Sequence, residues 1–213
     1  MIALYTLILS LFVAIALVPL LARYADGLGL VDLPDTRKIH QGAVPRIGGI
    51  AIAAGALASV LLFLPTGPEF VAYLVGAGIV FGFGVADDRF DLDYRLKFFG
   101  QIAGALVLVI GGDLCITRVP FAYAVYMPYW IGMPLTVLVI VGVTNAINLS
   151  DGLDGLAGGT SLLSAAAFGY LAYAADDRQV ALLALALIGA TLGFLRYNTF
   201  PARVFMGDGG SQF

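Results

Sequence analysis

Ile131-Gly-Met-Pro-Leu-Thr-Val-Leu-Val-Ile-Val-Gly-Val-Thr-Asn-Ala-Ile-Asn-Leu-Ser-Asp-Gly-Leu-Asp-Gly155 runs from an unbroken apolar stretch straight into a polar cluster. Residues 131–143 carry no charge, and Asn145, Asn148, Asp151 and Asp154 then follow at intervals of three. If the apolar helix continues through them, a turn of about 100° per residue puts all four on one slowly drifting polar stripe. Gly152, Gly155, Gly158 and Gly159 follow, where the backbone is loose enough for a ligand to come close. Amides and carboxylates at the end of a membrane helix are costly, so they mark a site. Alone, the same stretch also reads as a helix C-cap and a polar loop.

The rest of the chain has the same character. Of 213 residues, 61% are hydrophobic and only 12% charged, and the mean hydropathy is +0.97. A soluble domain carries roughly twice that charged fraction. The apolar residues are gathered into runs, as a bilayer requires. The fold class is therefore all-α, a polytopic transmembrane helical bundle forming a single integral membrane domain over 1–213. Cys115 is the only cysteine and His40 the only histidine, which excludes an intrachain disulfide and multi-histidine metal sites within these residues. Residues 1–21 lack a positive leading region, and Arg23 follows the apolar run, so this segment reads as a retained helix rather than a signal peptide.

Seven apolar segments are expected, near 2–21, 47–65, 70–86, 98–112, 131–149, 159–175 and 179–196. Arg23, Arg37, Lys38, Arg46, Arg89, Arg95, Lys97, Arg196 and Arg203 fall in connections on one side. Only Arg118 and Arg178 fall on the other. The positive-inside rule then puts the N-terminus outside and the exits of the odd-numbered helices in the cytoplasm. On the outer side, 114–127 has strand-like character and is read as a short periplasmic hairpin, with Tyr123, Tyr126, Tyr129 and Trp130 forming an interfacial belt. Asp176-Asp177-Arg178 reads as a solvated outer turn. Met206-Gly-Asp-Gly-Gly-Ser211 reads as the entrance to another apolar helix, so further C-terminal helices are expected.

This topology gathers four polar motifs at one membrane face. They are Asp32 to His40 with Val44-Pro-Arg-Ile-Gly-Gly49, then Asp87-Asp-Arg-Phe-Asp-Leu-Asp-Tyr-Arg-Leu-Lys97, the Asn/Asp stripe, and Met206 to Ser211. Ten of the thirteen aspartates lie on that side. Carboxylates and carboxamides are hard oxygen ligands suited to Mg²⁺, with Mn²⁺ as the alternative, and poorly suited to Zn²⁺. Basic side chains in the same loops supply phosphate clamps. The glycine-rich turn 207–211 offers backbone N–H groups to an anion. Together these point to phosphoryl transfer between a soluble nucleotide and a lipid phosphate. Each motif has a plainer reading alone, as helix cap, topology determinant or turn, and it is their joint placement that argues for chemistry.

These motifs resemble the signatures of the polyprenyl-phosphate N-acetylhexosamine-1-phosphate transferases (glycosyltransferase family 4), in particular the undecaprenyl-phosphate N-acetylglucosamine-1-phosphate branch. The likeness rests on Asp32-x-Pro-x-x-Arg-Lys-x-His40 with Pro45-x-x-Gly-Gly49, and on Asp87-Asp-Arg89 followed by Lys97 and Gln101. It continues through Asn145-x-x-Asn-x-x-Asp-Gly-x-Asp-Gly155 and Phe205-Met-Gly-Asp-x-Gly-Ser211, in the family's order from about residue 32 onward. The resemblance implies transfer of N-acetylhexosamine-1-phosphate from a UDP-N-acetylhexosamine, with N-acetylglucosamine favoured, to undecaprenyl phosphate. UMP is released and Mg²⁺ is required. It further implies Asp87 and Asp88 as catalytic residues at the lipid phosphate, and Asp208 with Asn148 as metal ligands. Asn145, Asp151, Asp154, Arg37, His40 and Lys97 would be substrate-binding. Implied too are the bacterial inner membrane with the active site on its cytoplasmic face, a homodimer, and no nucleic-acid partner. Members continue into a loop with a His-x-His-His-like motif, which a single histidine cannot supply. The 213-residue chain alone is therefore expected to be inactive in UMP release.

Rival readings are an intramembrane aspartyl protease, on the strength of Gly207-Asp208, and an ion-coupled transporter using the aspartates as a relay. The first needs paired intramembrane aspartates without a metal, and Met206 stands where its first glycine would be. The second needs acids at mid-membrane, whereas these lie near one face. A lipid alcohol phosphatidyltransferase shares the metal logic, but its spaced acidic pattern is missing.

Overall fold

A computed structural model of the protein describes residues 1–33, 42–65, 67–118 and 126–213. Eight helices run in the order α1 (Ile2–Leu28), α2 (Gly48–Phe63), α3 (Pro68–Phe90), α4 (Tyr94–Gly111), α5 (Tyr129–Ser150), α6 (Leu156–Ala174), α7 (Arg178–Asn198) and the short α8 (Gly207–Gln212). The strands β1 (Val31–Asp32) and β2 (Val44–Pro45) pair antiparallel between α1 and α2. The seven expected apolar segments are all helices. Five of them, α1, α3, α4, α5 and α7, are long and apolar enough to cross a membrane, and α2 is a shorter apolar helix. The chain is a multi-pass membrane protein.

The bundle is small-side-in and apolar-side-out. On α1 the buried residues Thr6, Ser10, Ala14 and Val18 recur every four positions, the period of one helix face. They face Ala186, Gly189, Ala190, Gly193 and Phe194 of α7, all buried. A side chain on Gly193 would meet the Leu11 carbonyl 2.7 Å away, so these two backbones are nearly in contact. Large apolar residues such as Phe12, Leu62, Trp130, Leu138, Leu163 and Phe168 point outward instead. Lipid provides no hydrophobic drive between helices, so small residues that permit close packing form the seams.

Helix ends follow local chemistry. Gly29 takes φ 68°, and the N–H groups of Gly29 and Leu30 close α1 on the Asp26 and Ala25 carbonyls, a Schellman-type stop. Asp93 and Asp177 cap α4 and α7 through the N–H groups of Arg95 and Val180. Asp176, at φ 58°, and the exposed Asp176–Arg178 pair form the turn expected there. In the stretch 114–127 the flanks pair: Arg118 bridges Tyr126 antiparallel, and the Met127 N–H donates to the Thr117 carbonyl. Residues 119–125 lie outside the described part.

α5 stops at Ser150, next to the expected end at 149, and residues 151–155 form a turn with Gly155 at φ 74°, the helix-end alternative and not the continued helix. The polar stripe is therefore broken: the helix carries Asn145 and Asn148, while Asp151 and Asp154 leave it in different directions.

α8 sits among α2, α3 and α5. The N–H groups of Gly48 and Gly49 donate to the carbonyls of Phe205 and Met206, and the Phe205 N–H to that of Pro45. A methyl group on Gly49 would overlap the Gly210 backbone, and one on Gly84 would lie 2.6 Å from the Asp208 carbonyl oxygen. Gly84→Ala is therefore expected to lower the unfolding temperature in detergent, at an overpacking cost of about 1–3 kcal/mol. Gly142 has open space around it, so Gly142→Ala should hold or raise stability by about 0.5–1 kcal/mol through helix propensity. Equal shifts for the two variants would show that α8 is not packed so tightly.

Candidate active site at the bundle end

The C-terminal ends of α3 and α5 and the N-terminal ends of α2 and α4 meet around α8. Asp87 and Asp88 occupy the last turn of α3 rather than a loop. Consecutive residues on a helix point about 100° apart, and these two carboxylates accordingly find different partners. Asp88 turns to α8, its two oxygens accepting the N–H groups of Asp208 (2.8 Å) and Gly209 (2.9 Å). Asp87 accepts the Leu92 N–H at 2.8 Å and the Lys97 ammonium at 2.9 Å.

Lys97 lies in the first turn of α4, and its ammonium also forms an ion pair with Asp208. It stands between two carboxylates from distant parts of the chain, with its side chain 19% exposed. The other oxygen of Asp208 accepts the amide N–H of Asn148 at 2.8 Å, and the same amide nitrogen reaches the Ser211 hydroxyl at 2.8 Å. The structure thus brings Asp87, Asp88, Lys97, Asn148, Asp151 and Asp208 into one network.

Asp151 accepts the Gly207 N–H at 3.2 Å. Together with Asp88 it occupies the first three N–H groups of α8, which corrects the expectation that this turn offers them to an external anion. The groups are buried beside protein carboxylates, and buried donors are satisfied from within.

Two other expected residues lie apart from the Lys97 pair. Asp154 accepts the Ala202 N–H at 2.9 Å and tethers the segment between α7 and α8. Asn145 donates to the Gln101 side chain at 2.7 Å and to the Val141 carbonyl. Arg37 and His40 fall outside the described residues. Gln101, 2% exposed, passes the link from Asn145 to Gln212 at 2.9 Å, so a carboxamide relay pins the far end of α8. Asn198 accepts the Gly155 N–H and donates to the Val204 carbonyl, locking the α5–α6 turn onto the approach to α8. The roles of Gln212 and Asn198 are not apparent in the sequence, because each depends on partners brought in by the fold. The signal available was only their polarity inside or beside apolar runs.

The donor set fits Mg²⁺. Among the described residues no group of three His, Cys, Asp or Glu side chains is arranged to hold a metal. The oxygen donors of Asp208 and the adjacent Asn148 suit an ion that takes one or two protein carboxylates and completes its shell with phosphate oxygens and water.

Burial lifts the Asp151 carboxyl from an ordinary 3.8 to about 7, the Asp208 and Asp88 charges adding to the rise and the Gly207 N–H opposing it. For Asp208 burial also acts upward, but hydrogen bonding with Asp87, Lys97 and Asn148 outweighs it and holds the carboxyl below the usual range. A raised carboxyl binds its proton more tightly in the folded state, so its contribution is full at low pH and fades as pH climbs toward about 7. Asp208 acts in the opposite sense, its contribution being lost as pH falls through the acid range below the ordinary value. With chelator present, the unfolding temperature in detergent should therefore decline between about pH 4 and about pH 7. Asp151→Asn, which keeps an acceptor for Gly207, should flatten that decline, and an unchanged slope would contradict this assignment.

The pattern described as glycosyl transferase family 4 matches residues 70–213. A Bacillus subtilis (strain 168) protein named probable undecaprenyl-phosphate N-acetylglucosaminyl 1-phosphate transferase is 41% identical over 208 residues, covering 97% of this chain and 58% of its own length. The phospho-N-acetylmuramoyl-pentapeptide-transferase of Desulforudis audaxviator (strain MP104C) is 35% identical, covering 96% of this chain and 69% of its own. The undecaprenyl-phosphate alpha-N-acetylglucosaminyl 1-phosphate transferase of Escherichia coli (strain K12) is 33% identical, with 96% and 58% covered. The chain thus spans little more than half of two of these relatives. With the family pattern extending from α3 through α8, and so over every residue of the carboxylate–lysine network, the chain belongs to glycosyl transferase family 4.

Proposed function

We propose that the protein transfers N-acetylhexosamine-1-phosphate, with N-acetylglucosamine as the favoured sugar, from a UDP-sugar to undecaprenyl phosphate. The reaction makes a lipid-linked sugar diphosphate and releases UMP. The observation that carries this reading is the Lys97 ammonium held between Asp87 and Asp208 at the ends of membrane helices. A cation flanked by hard oxygen donors at a bundle end suits a reaction in which a lipid-borne phosphate meets a soluble diphosphate. The names of the relatives support the same substrate class.

In the proposed reaction an oxygen of the lipid phosphate attacks the sugar-bearing phosphorus, and the bond to the UMP oxygen breaks. Lys97 would orient and neutralise phosphate oxygens. Asp87, one of its ion-pair partners, would receive a proton from the incoming lipid phosphate. Asp88 and Asp151 hold the α8 backbone still, and Asn148 fixes the orientation of Asp208. Asp208 and Asn148 would hold Mg²⁺, which when bound supplies charge neutralisation for the diphosphate. The active site then faces the cytoplasm at the inner membrane of a bacterium, in keeping with the Lys and Arg bias of its loops. A homodimer is part of the same proposal.

Neither rival is favoured. The aspartates of the network are tied to lysine and backbone N–H groups at one bundle end, not strung along a mid-membrane path.

The test incubates the whole protein with labelled UDP-N-acetylglucosamine, undecaprenyl phosphate and Mg²⁺ and follows lipid product and UMP together. EDTA should abolish turnover. Asp208→Asn and Lys97→Met should each cost about 10²-fold or more in rate, as loss of a preorganised charge does. Asp154→Asn should cost less than about tenfold, because its carboxylate serves a tether. EDTA-insensitive peptide cleavage, or solute uptake without nucleotide sugar, would replace this reading with one of the rivals.

A further inference from the structure

Between α7 and α8 the chain turns through residues 199–206, and a cleft of about 330 Å³ opens beside this turn. Arg196, Tyr197, Thr199, Phe200, Pro201 and Arg203 line it, and no carboxylate does. Both arginines are exposed. Neither guanidinium has a hydrogen-bond or ion-pair partner among the described residues. Arg196 in the last turn of α7 complements the helix dipole, but that accounts for one charge and not for the second across the cleft.

The walls are preformed. The Thr199 N–H donates to the Leu195 carbonyl at 3.0 Å and the Arg203 N–H to the Tyr197 carbonyl at 2.9 Å. Asp154 holds Ala202, Asn198 holds Val204, and the Tyr197 hydroxyl reaches back to the Ile15 carbonyl at 3.1 Å. Phe200 is 85% exposed at the rim, an aromatic beside two arginines at the end of a membrane-crossing helix. Guanidinium groups match phosphate oxygens with paired N–H donors. Basic clusters at helix ends attract phosphate head groups at the membrane surface.

We propose that this cleft is an anion site, separate from the carboxylate–lysine network, that takes a phosphate group borne by an anionic lipid or free in solution. It does not depend on the transferase reading, and its test needs no turnover.

The test has two arms on the whole protein. In neutral detergent, inorganic phosphate is titrated while the unfolding temperature is followed. In nanodiscs, phosphatidylcholine is compared with phosphatidylcholine containing phosphatidylglycerol. Wild type and R178Q, which alters an exposed arginine at the other end of α7, should respond alike. In R196Q/R203Q the response should shift to concentrations about tenfold higher or vanish, with helical circular dichroism unchanged. A response confined to nanodiscs identifies a lipid head group, and one confined to detergent identifies soluble phosphate. If the double variant fails to fold, R196Q and R203Q are measured singly, each expected to weaken the response about fivefold. Equal responses in wild type and the arginine variants, in both arms, would overturn the proposal.

Discussion

The N-terminus of α8 has to be capped by acids from other helices, and the arrangement of the site depends on that. A six-residue helix is too short to be stable alone. Its opening N–H groups lie inside a bundle where water is scarce. Leaving a buried donor unpaired costs about 1–3 kcal/mol, so each must find an acceptor. Asp88 from the end of α3 and Asp151 from the end of α5 are those acceptors. These contacts from two other helices are thus also what aims Asp208 at Lys97. Glycines at 49 and 84 matter for the same reason, since they let α8 approach near enough for those bonds to close.

Charge pairing explains how so many acids coexist there. Carboxylates brought together in a low-dielectric setting must be neutralised by partners or by protons. Lys97 serves Asp87 and Asp208 at once. Asp88 and Asp151 are met instead by backbone dipoles, which is weaker compensation, and burial accordingly pushes the Asp151 carboxyl up to about 7. The acids therefore divide into a pair that shares one lysine, suited to phosphate chemistry, and a pair committed to holding a helix. That division follows from geometry and not from residue type.

The same economy extends to the flank. Asp154 and Asn198 use their polar atoms on the turn between α7 and α8, which leaves Arg196 and Arg203 facing open space. What sets these two guanidiniums apart is that they line one cleft together, with no hydrogen-bond or ion-pair partner among the described residues.

Composition and periodicity alone settled the broad architecture. Seven apolar runs could only be membrane-type helices, since lipid requires every backbone group to be bonded within its own segment. The spacing of the four polar motifs relative to those runs put them at one end, because an even number of crossings lies between any two of them. That Asp87, Asp88, Asp151 and Asp208 converge was readable for this reason. Which acid meets which donor was not, for it depends on contacts between residues as far apart as Asp88 and Gly209, whose geometry no local pattern encodes. The end of α5 near Ser150 was readable from the apolar run, but not the fate of the two aspartates beyond it: only the bonds to Gly207 and Ala202 decide where they point. Local preference and hydrophobicity act over a few residues and survive in the sequence, whereas polar partnership is settled by packing that the whole chain must complete.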